Sequence, residues 1–338
     1  MFRVKQWRET NQLNIGAEGC VVTIGVFDGV HRGHQSLVTA ARTAADKLGV
    51  PLVLLTFDPH PLAVIRPDHV PPLLGTIAQR AATVAALGVD HMVAVRFDST
   101  LAGESPEEFF TVHLEHDLRA RAVFVGENFT FGHRAEGTTD TLRSLGAAHG
   151  IDVTVVPLVQ EHGVVVSSTS IRTALGAGDV TAAAEKLGRP FAVTETVQRG
   201  AGRGGKQLGY PTANLYVPEY LATPADGVYA GWFTIEDEDP VAGSMQPHRA
   251  YPTAVSVGNN PTFGDQRRSV EAFVLDQDAD LYGRTCRVEF THHLRPMVKF
   301  DGLDDLLAQM AQDVNHTRQY LQQDAQPAYL HPRAERSA

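Results

Sequence analysis

A chain of 338 residues, 43% hydrophobic and 20% charged, can bury two ordinary cores and is neither fibrous nor disordered. Lys and Arg total 29 against 39 Asp and Glu; cut at Leu187, the parts hold 15 against 20 and 14 against 19, so each carries −5. A nucleic-acid partner, which calls for a net-basic face, is disfavoured. Cys20 and Cys286 make neither a disulfide framework nor a paired-cysteine metal site. The N-terminal stretch lacks the apolar core of a signal peptide, and no apolar run is long enough to span a bilayer. A soluble, cytoplasmic, two-domain protein with no membrane partner is expected.

In chain order, Val21 to Phe27 reads as a buried strand and His34 to Leu48 as an Ala-rich helix stopped by Gly49. Pro51 to Phe57 is the next strand, followed by the turn Asp58-Pro59-His60-Pro61. Gln79 to Leu87 reads as helix, Met92 to Phe97 as strand, Pro106 to Asp117 as helix and Ala122 to Val125 as strand. Thr139 to His149 is helical, Asp152 to Pro157 a strand, and Ser170 to Leu175 begins a last helix. Strands alternating with helices of this length predict βαβ units and a parallel sheet.

After Leu187 the rhythm changes. Phe191 to Gln198, Val228 to Ile235, Tyr251 to Val257, Ser269 to Leu275 and Thr285 to Thr291 are all strand-like, with turn residues between them. A small barrel or sandwich is expected. Cys286 falls in a clean alternation and is read as a core residue. Beyond Gly302, the residues Leu303, Leu306, Leu307, Met310 and Val314 form one helical face that closes the second domain. The expected division is 1–187, 188–324 and a tail 325–338.

Two segments carry chemistry. Gly25-Val26-Phe27-Asp28-Gly29-Val30-His31-Arg32-Gly33-His34 links the first strand to the first helix. In a doubly wound sheet the first such turn is a favoured ligand position. Its glycines admit a phosphate, and helix N-terminal N–H groups favour anions. His31 and His34, three apart, can both face one ligand, where an imidazole N–H donates to oxygens that gain charge during phosphoryl or nucleotidyl transfer. The plainer readings are a common Asp-Gly turn, or a metal-binding His pair without a third ligand at obvious spacing. The glycines do not fit a dinucleotide fingerprint.

The second segment is Arg199 to Gly209, a basic glycine-rich loop containing Gly202, Gly204, Gly205 and Lys206, leading into Tyr210-Pro211-Thr212-Ala213-Asn214. Such a loop can wrap polyphosphate with backbone N–H groups, or be a plain surface loop; it is not a Walker motif. Further on, Glu271 stands in the apolar strand Ser269 to Leu275. A carboxylate there is paired, exposed at an edge, or kept for function, for instance as a general base.

The His-x-Gly-His turn, with Thr56-Phe57-Asp58-Pro59-His60-Pro61, Val125 to Gly132 and Val166 to Arg172, resembles the adenylyltransferase module of the prokaryotic bifunctional riboflavin kinase/FMN adenylyltransferases, the FAD synthetases. Gly-Tyr-Pro-Thr-Ala-Asn, the glycine loop and Ser269-Val270-Glu271-Ala272-Phe273 resemble its riboflavin kinase module, which usually has Phe at the place of Tyr210. Together they cover about Val21 to Gln323.

The resemblance implies a Rossmann-like nucleotidyltransferase domain with a parallel sheet, then a small antiparallel riboflavin kinase-like barrel. Riboflavin, FMN and ATP are the implied substrates, FMN and FAD the products, and Mg²⁺ the metal. His31 and His34 would contact ATP phosphates, with Gly25, Phe27 and Asp28 beneath them. Asn128, Ser167, Ser168, Thr169 and Arg172 would complete that site, and His60 is a further candidate. Ser167 and Ser168 can cap a helix and donate to an anion, and Arg172 offers a planar fork suited to phosphate; a plain cap and a surface charge would read the same way. Thr212 and Asn214 would place Mg²⁺ and phosphates in the kinase site, with Glu271 as base. Two positions depart from the family pattern: Val165, where a basic residue is frequent, and Gln79, where Glu commonly precedes Arg80.

Overall fold

The computed structural model describes residues 4–161, 163–199, 210–260 and 265–323. They form two compact units, one ending at Ser168 and the other beginning at Thr169. The tail 325–338 lies outside the described residues.

In the first unit, β1 (Lys5–Trp7), β2 (Cys20–Ile24), β3 (Leu52–Asp58), β4 (His91–Arg96), β5 (Ala120–Gly126) and β6 (Asp152–Val156) form one sheet in the order β1-β4-β3-β2-β5-β6. Every pairing is parallel. Helices cover both faces, so the strands are apolar on both: Val22, Ile24, Val53, Leu55 and Val123 enter one core, and Val21, Leu52, Leu54 and Met92 the other. The helix Arg32–Leu48 lays Leu37, Val38, Ala41 and Ala45 on that second core. The chain winds outward from β2 through β3 and β4, then returns to β5 on the opposite side. The gap between the carboxyl ends of β2 and β5 is therefore the topological switch point, the favoured ligand crevice of such sheets.

The expected helix over Pro106 to Asp117 is one α-turn, Pro106–Phe109, followed by π-helical turns over Phe110–Asp117. Phe110, Leu114 and Leu118 are fully buried at intervals of four, wider than an α-helix's 3.6, and i→i+5 bonds such as Leu118 N–H to His113 O suit that spacing. β1 and the hairpin β7 (Gln160–Glu161) with β8 (Val164–Val165) are too short to show a period.

In the second unit, β9 (Phe191–Gln198), β10 (Ala213–Tyr216), β11 (Gly227–Ile235), β12 (Ala250–Asn260), β13 (Asp265–Val274) and β14 (Thr285–Arg295) close into an antiparallel barrel in the order β10-β13-β12-β11-β14-β9. Cys286, Val288 and Phe290 are fully buried, as the alternation predicts. Burial pushes the thiols of Cys20 and Cys286 up to about 12, so neither is a nucleophile at neutral pH. At the bulge between β11 and β14, a Cβ on Gly231 would stand 2.0 Å from the Glu289 carbonyl oxygen; only glycine fits.

The closing helix, Leu303–Gln323, differs from its expected face. Leu303 is 55% exposed, while Asp313, Thr317 and Leu321 are buried. The reason is electrostatic. Arg295 of β14 donates from Nε to Asp313 Oδ1 at 2.9 Å and from Nη2 to Oδ2 at 2.8 Å, and Thr317 Oγ1 donates to the Asp313 carbonyl. Leu321 then joins Ala230 and Trp232.

Two helices before the expected division, Ser168–Gly176 and Val180–Leu187, travel with the barrel. Ala225 N–H donates to the Leu175 carbonyl at 2.8 Å, and Val180, Ala183 and Leu187 are buried where the second helix meets β14 and β9. A fragment beginning at Gly188 loses that cover, on the order of 3–6 kcal/mol of apolar burial. Its thermal midpoint, followed by circular dichroism, should lie roughly 10 °C or more below that of a fragment beginning at Thr169. Equal midpoints would detach the helices from the barrel.

Candidate active sites

The turn after β2 is built under strain. Phe27 and Val30 have φ of 52° and 42° on either side of Gly29 at 77°. A left-handed Phe and a left-handed β-branched Val cost about 1–3 kcal/mol each, and full burial of both side chains offsets this. Asp28 fixes the loop: its Oδ1 accepts from Leu74 N–H at 2.9 Å and its carbonyl from Ser168 Oγ at 2.9 Å. Ser168 thus joins the first turn.

His31 is the N-cap of the helix Arg32–Leu48, its Nδ1 accepting from His34 N–H. An accepting Nδ1 leaves the ring proton of a neutral imidazole on Nε2. The rings of His31 and His34 stack 3.7 Å apart at 19°, with Phe27 5.0 Å from His34. Burial holds the His34 imidazole well below its usual range, and the charges of His31 and Arg80 push the same way. His34 is therefore a neutral donor near pH 7.

The linked prediction concerns stability. With its folded value depressed, His34 contributes stability above the ordinary 6.5 and loses it as pH falls below that, because the unfolded chain then binds the extra proton. The first unit's thermal midpoint should fall as pH drops from about 7 to about 5, and His34→Gln should flatten that slope. An unchanged slope in the variant would contradict a neutral, buried His34.

Gly25, Asn128 and His60 follow the same carboxyl edge. Gly25 follows β2, and a Cβ there would meet the Phe27 ring at 3.3 Å. Asn128 is exposed just after β5, beside Gly126. His60, after β3, accepts at Nδ1 from Leu62 N–H at 3.2 Å, where the short helix Leu62–Ile65 begins. Thr169 and Arg172 lie in the second unit, on the helix Ser168–Gly176. Gln79 forms a capping box with Thr76, a task that Gln performs as well as Glu. Val165 is 36% exposed in β8. The residue passed over is Arg80, only 6% exposed, its Nη1 donating to Thr56 Oγ1 at 2.9 Å. A lone Arg within a helical pattern reads as a surface charge, and only the fold shows it buried.

In the second unit the polar candidates alternate along the strands with the residues of the barrel interior. Antiparallel registers set Asn214 of β10 and Ser256 of β12 on either side of Glu271 of β13, while Val270 and Ala272 fill the interior. Cross-strand neighbours of this kind lie about 5 Å apart at Cβ. Glu271 is half-buried and accepts from Ser269 Oγ at 3.2 Å. Asn214 donates from Nδ2 to the Thr212 carbonyl at 3.1 Å, which commits its N–H side and leaves Oδ1 as the acceptor. Tyr210 stands edge-on to Phe273 at 5.0 Å, joining the Tyr-Pro-Thr-Ala-Asn segment to the strand of Glu271. Gly202, Gly204, Gly205 and Lys206 lie outside the described residues.

A parallel sheet with an anion-suited turn at its switch point, and a barrel with a carboxylate between Asn and Ser, define a transferase with two phosphate-handling modules. Family models agree: FAD synthetase matches residues 14–170 and riboflavin kinase residues 187–321. The bifunctional riboflavin kinase/FMN adenylyltransferase of Escherichia coli K12 is 34% identical over 303 residues, 90% of this chain and 93% of its own. That of Listeria monocytogenes is 32% identical, covering 93% and 94%. A solved Streptococcus pneumoniae structure, described as a macrolide-efflux protein, is 32% identical with a TM-score of 0.81, covering 93% of this chain and 98% of its own. Among the described residues, no helix is long and apolar enough to cross a membrane. The chain belongs to the bifunctional riboflavin kinase/FMN adenylyltransferase family.

Proposed function

We infer that the protein makes both flavin cofactors: a C-terminal module, 188–324, phosphorylates riboflavin with ATP to FMN, and an N-terminal module, 1–187, adenylylates FMN with ATP to FAD and pyrophosphate. One observation carries the reading. Each unit holds a polar constellation suited to one of these reactions: the stacked His31 and His34 at the turn after β2 in the first, and Glu271 between Asn214 and Ser256 in the second.

In the first module a phosphate oxygen of FMN attacks the α-phosphorus of ATP in line, and pyrophosphate leaves. Positioning and charge stabilisation do most of this work. His31 and His34 donate to the phosphate oxygens, with Gly25, Phe27 and Asp28 shaping the turn. Asn128, Ser167, Ser168, Thr169 and Arg172 serve the nucleotide and pyrophosphate, with His60 at the same sheet edge.

In the second module Glu271 takes the proton of the riboflavin 5′-hydroxyl, whose oxygen attacks the γ-phosphorus as ADP leaves. Gly202, Gly204, Gly205 and Lys206 wrap the phosphates. Thr212 and Asn214 offer two hard oxygens, and the described residues contain no cluster of three His, Cys, Asp or Glu that could hold a metal. Thr212 and Asn214 would hold Mg²⁺, a hard cation that usually keeps phosphate and water ligands besides and would supply charge neutralisation at the phosphates.

Chromatography of riboflavin incubated with ATP and Mg²⁺ should show FMN, then FAD, with ADP and pyrophosphate formed in the respective steps; a chelator should stop both. FAD from FMN without ADP from riboflavin would indicate a one-activity nucleotidyltransferase. Flavin binding without turnover would indicate a sensor.

A further inference from the structure

Arg80 lies on the helix Ile77–Ala86, only 6% exposed. Its Nη1 donates to Thr56 Oγ1, and that hydroxyl donates to the Val26 carbonyl at 2.9 Å. Helix, β3 and the turn after β2 are thereby joined. The Arg80 Nε is buried with no hydrogen-bond partner among the described residues. The acids whose charges reach it are Asp28 and Asp58. Asp58 pairs with Arg8, and Asp28 Oδ1 is held by Leu74 N–H. Leaving a buried N–H unsatisfied is costly, more so on a cation, and a brace to one hydroxyl needs no guanidinium.

Building on the adenylyltransferase reading, we propose that Arg80 is the built-in cation of the first site, presenting fixed positive charge to the polyphosphate of ATP and to the pyrophosphate that leaves. Arg suits the task because it stays charged when enclosed, and a charge in a low-dielectric surround acts over a longer range than one in water. Arg80 also works through a neighbour. Its field opposes protonation of His34, so the histidines remain N–H donors while the charge stands behind them. In this respect it is a positioning residue.

The test is inhibition of FAD formation, from FMN and Mg-ATP, by inorganic pyrophosphate in the full-length protein. Arg80→Met and Arg80→Gln should each raise the inhibition constant about tenfold or more. Arg80→Lys should retain part of the affinity. Thr56→Val, which removes the brace and keeps the charge, should stay within about twofold of the parent. Arg80→Gln, with a donor still available for Thr56, carries the expectation alone if Arg80→Met does not fold. Loss of the charge should also move the acid limb of the FAD-forming pH profile upward, because His34 then protonates more easily. Riboflavin phosphorylation is the internal control and should not change. An unchanged constant in Arg80→Gln overturns the proposal, as does Thr56→Val weakening pyrophosphate as much as Arg80→Gln, which would make Arg80 a strut. If the parent forms no FAD, the functional reading fails; calorimetric titration of parent and Arg80→Gln with pyrophosphate still decides the charge, equal affinities overturning it.

Discussion

Glu271→Gln should lower riboflavin phosphorylation by roughly two to four orders of magnitude, the range associated with losing a general base, and should leave FMN-to-FAD conversion at the parent rate. The amide keeps the size of the carboxylate and can still accept from Ser269, whose Oγ stands 3.2 Å away, so the fold should be retained. What it cannot do is take the proton of the 5′-hydroxyl. Asn214 and Ser256 remain as the flanking neighbours in register, so the KM for ATP should move little while kcat falls. Initial rates of ADP formation with riboflavin, and of FAD formation with added FMN, read the two activities on one preparation. A folded variant that had lost FAD formation from FMN would contradict separate sites.

The reciprocal change acts on the other module. His31→Ala/His34→Ala should leave riboflavin phosphorylation intact and stop the pathway at FMN. One donor aimed at developing charge is worth roughly 10²–10³ in rate, and two stacked rings 3.7 Å apart act as a unit whose effects do not simply add. A loss of about three orders of magnitude or more in FAD formation is therefore expected. The removed rings also leave space beside Phe27, so the first unit should be less stable, and a thermal scan run alongside separates that from lost chemistry. A double variant that forms FAD within tenfold of the parent would remove the histidines from the reaction.

Much of this was legible before the structure. Buried parallel strands and Ala-rich helices state their period plainly, and the return to alternation after Leu187 announces the barrel. What escaped detection had physical causes. β1 and β10, of three and four residues, are too short for periodicity. The helix Val180–Leu187 is helical on its own terms, but nothing local says that it covers a barrel rather than a sheet. The buried face of Leu303–Gln323 is not the one hydropathy picks, because its deepest side chains include Asp313 and Thr317, polar groups that hydropathy assigns to solvent; Arg295, 18 positions before Asp313, draws them inward. The proposed sites divide the same way. His31, His34, Thr212, Asn214 and Glu271 stand in ordered motifs, whereas Arg80 enters the proposal only because folding encloses it.

The claim at the centre is that one chain carries two independent sites joined by a diffusible product. Mixing Glu271→Gln with His31→Ala/His34→Ala in riboflavin and Mg-ATP tests it most directly, because neither variant alone should carry riboflavin through to FAD. FMN released by the double variant should reach the intact first site of the other, and FAD should accumulate after a lag that shortens as protein concentration rises. A mixture that forms FMN and no FAD, while each variant keeps its one activity in separate assays, would contradict the account.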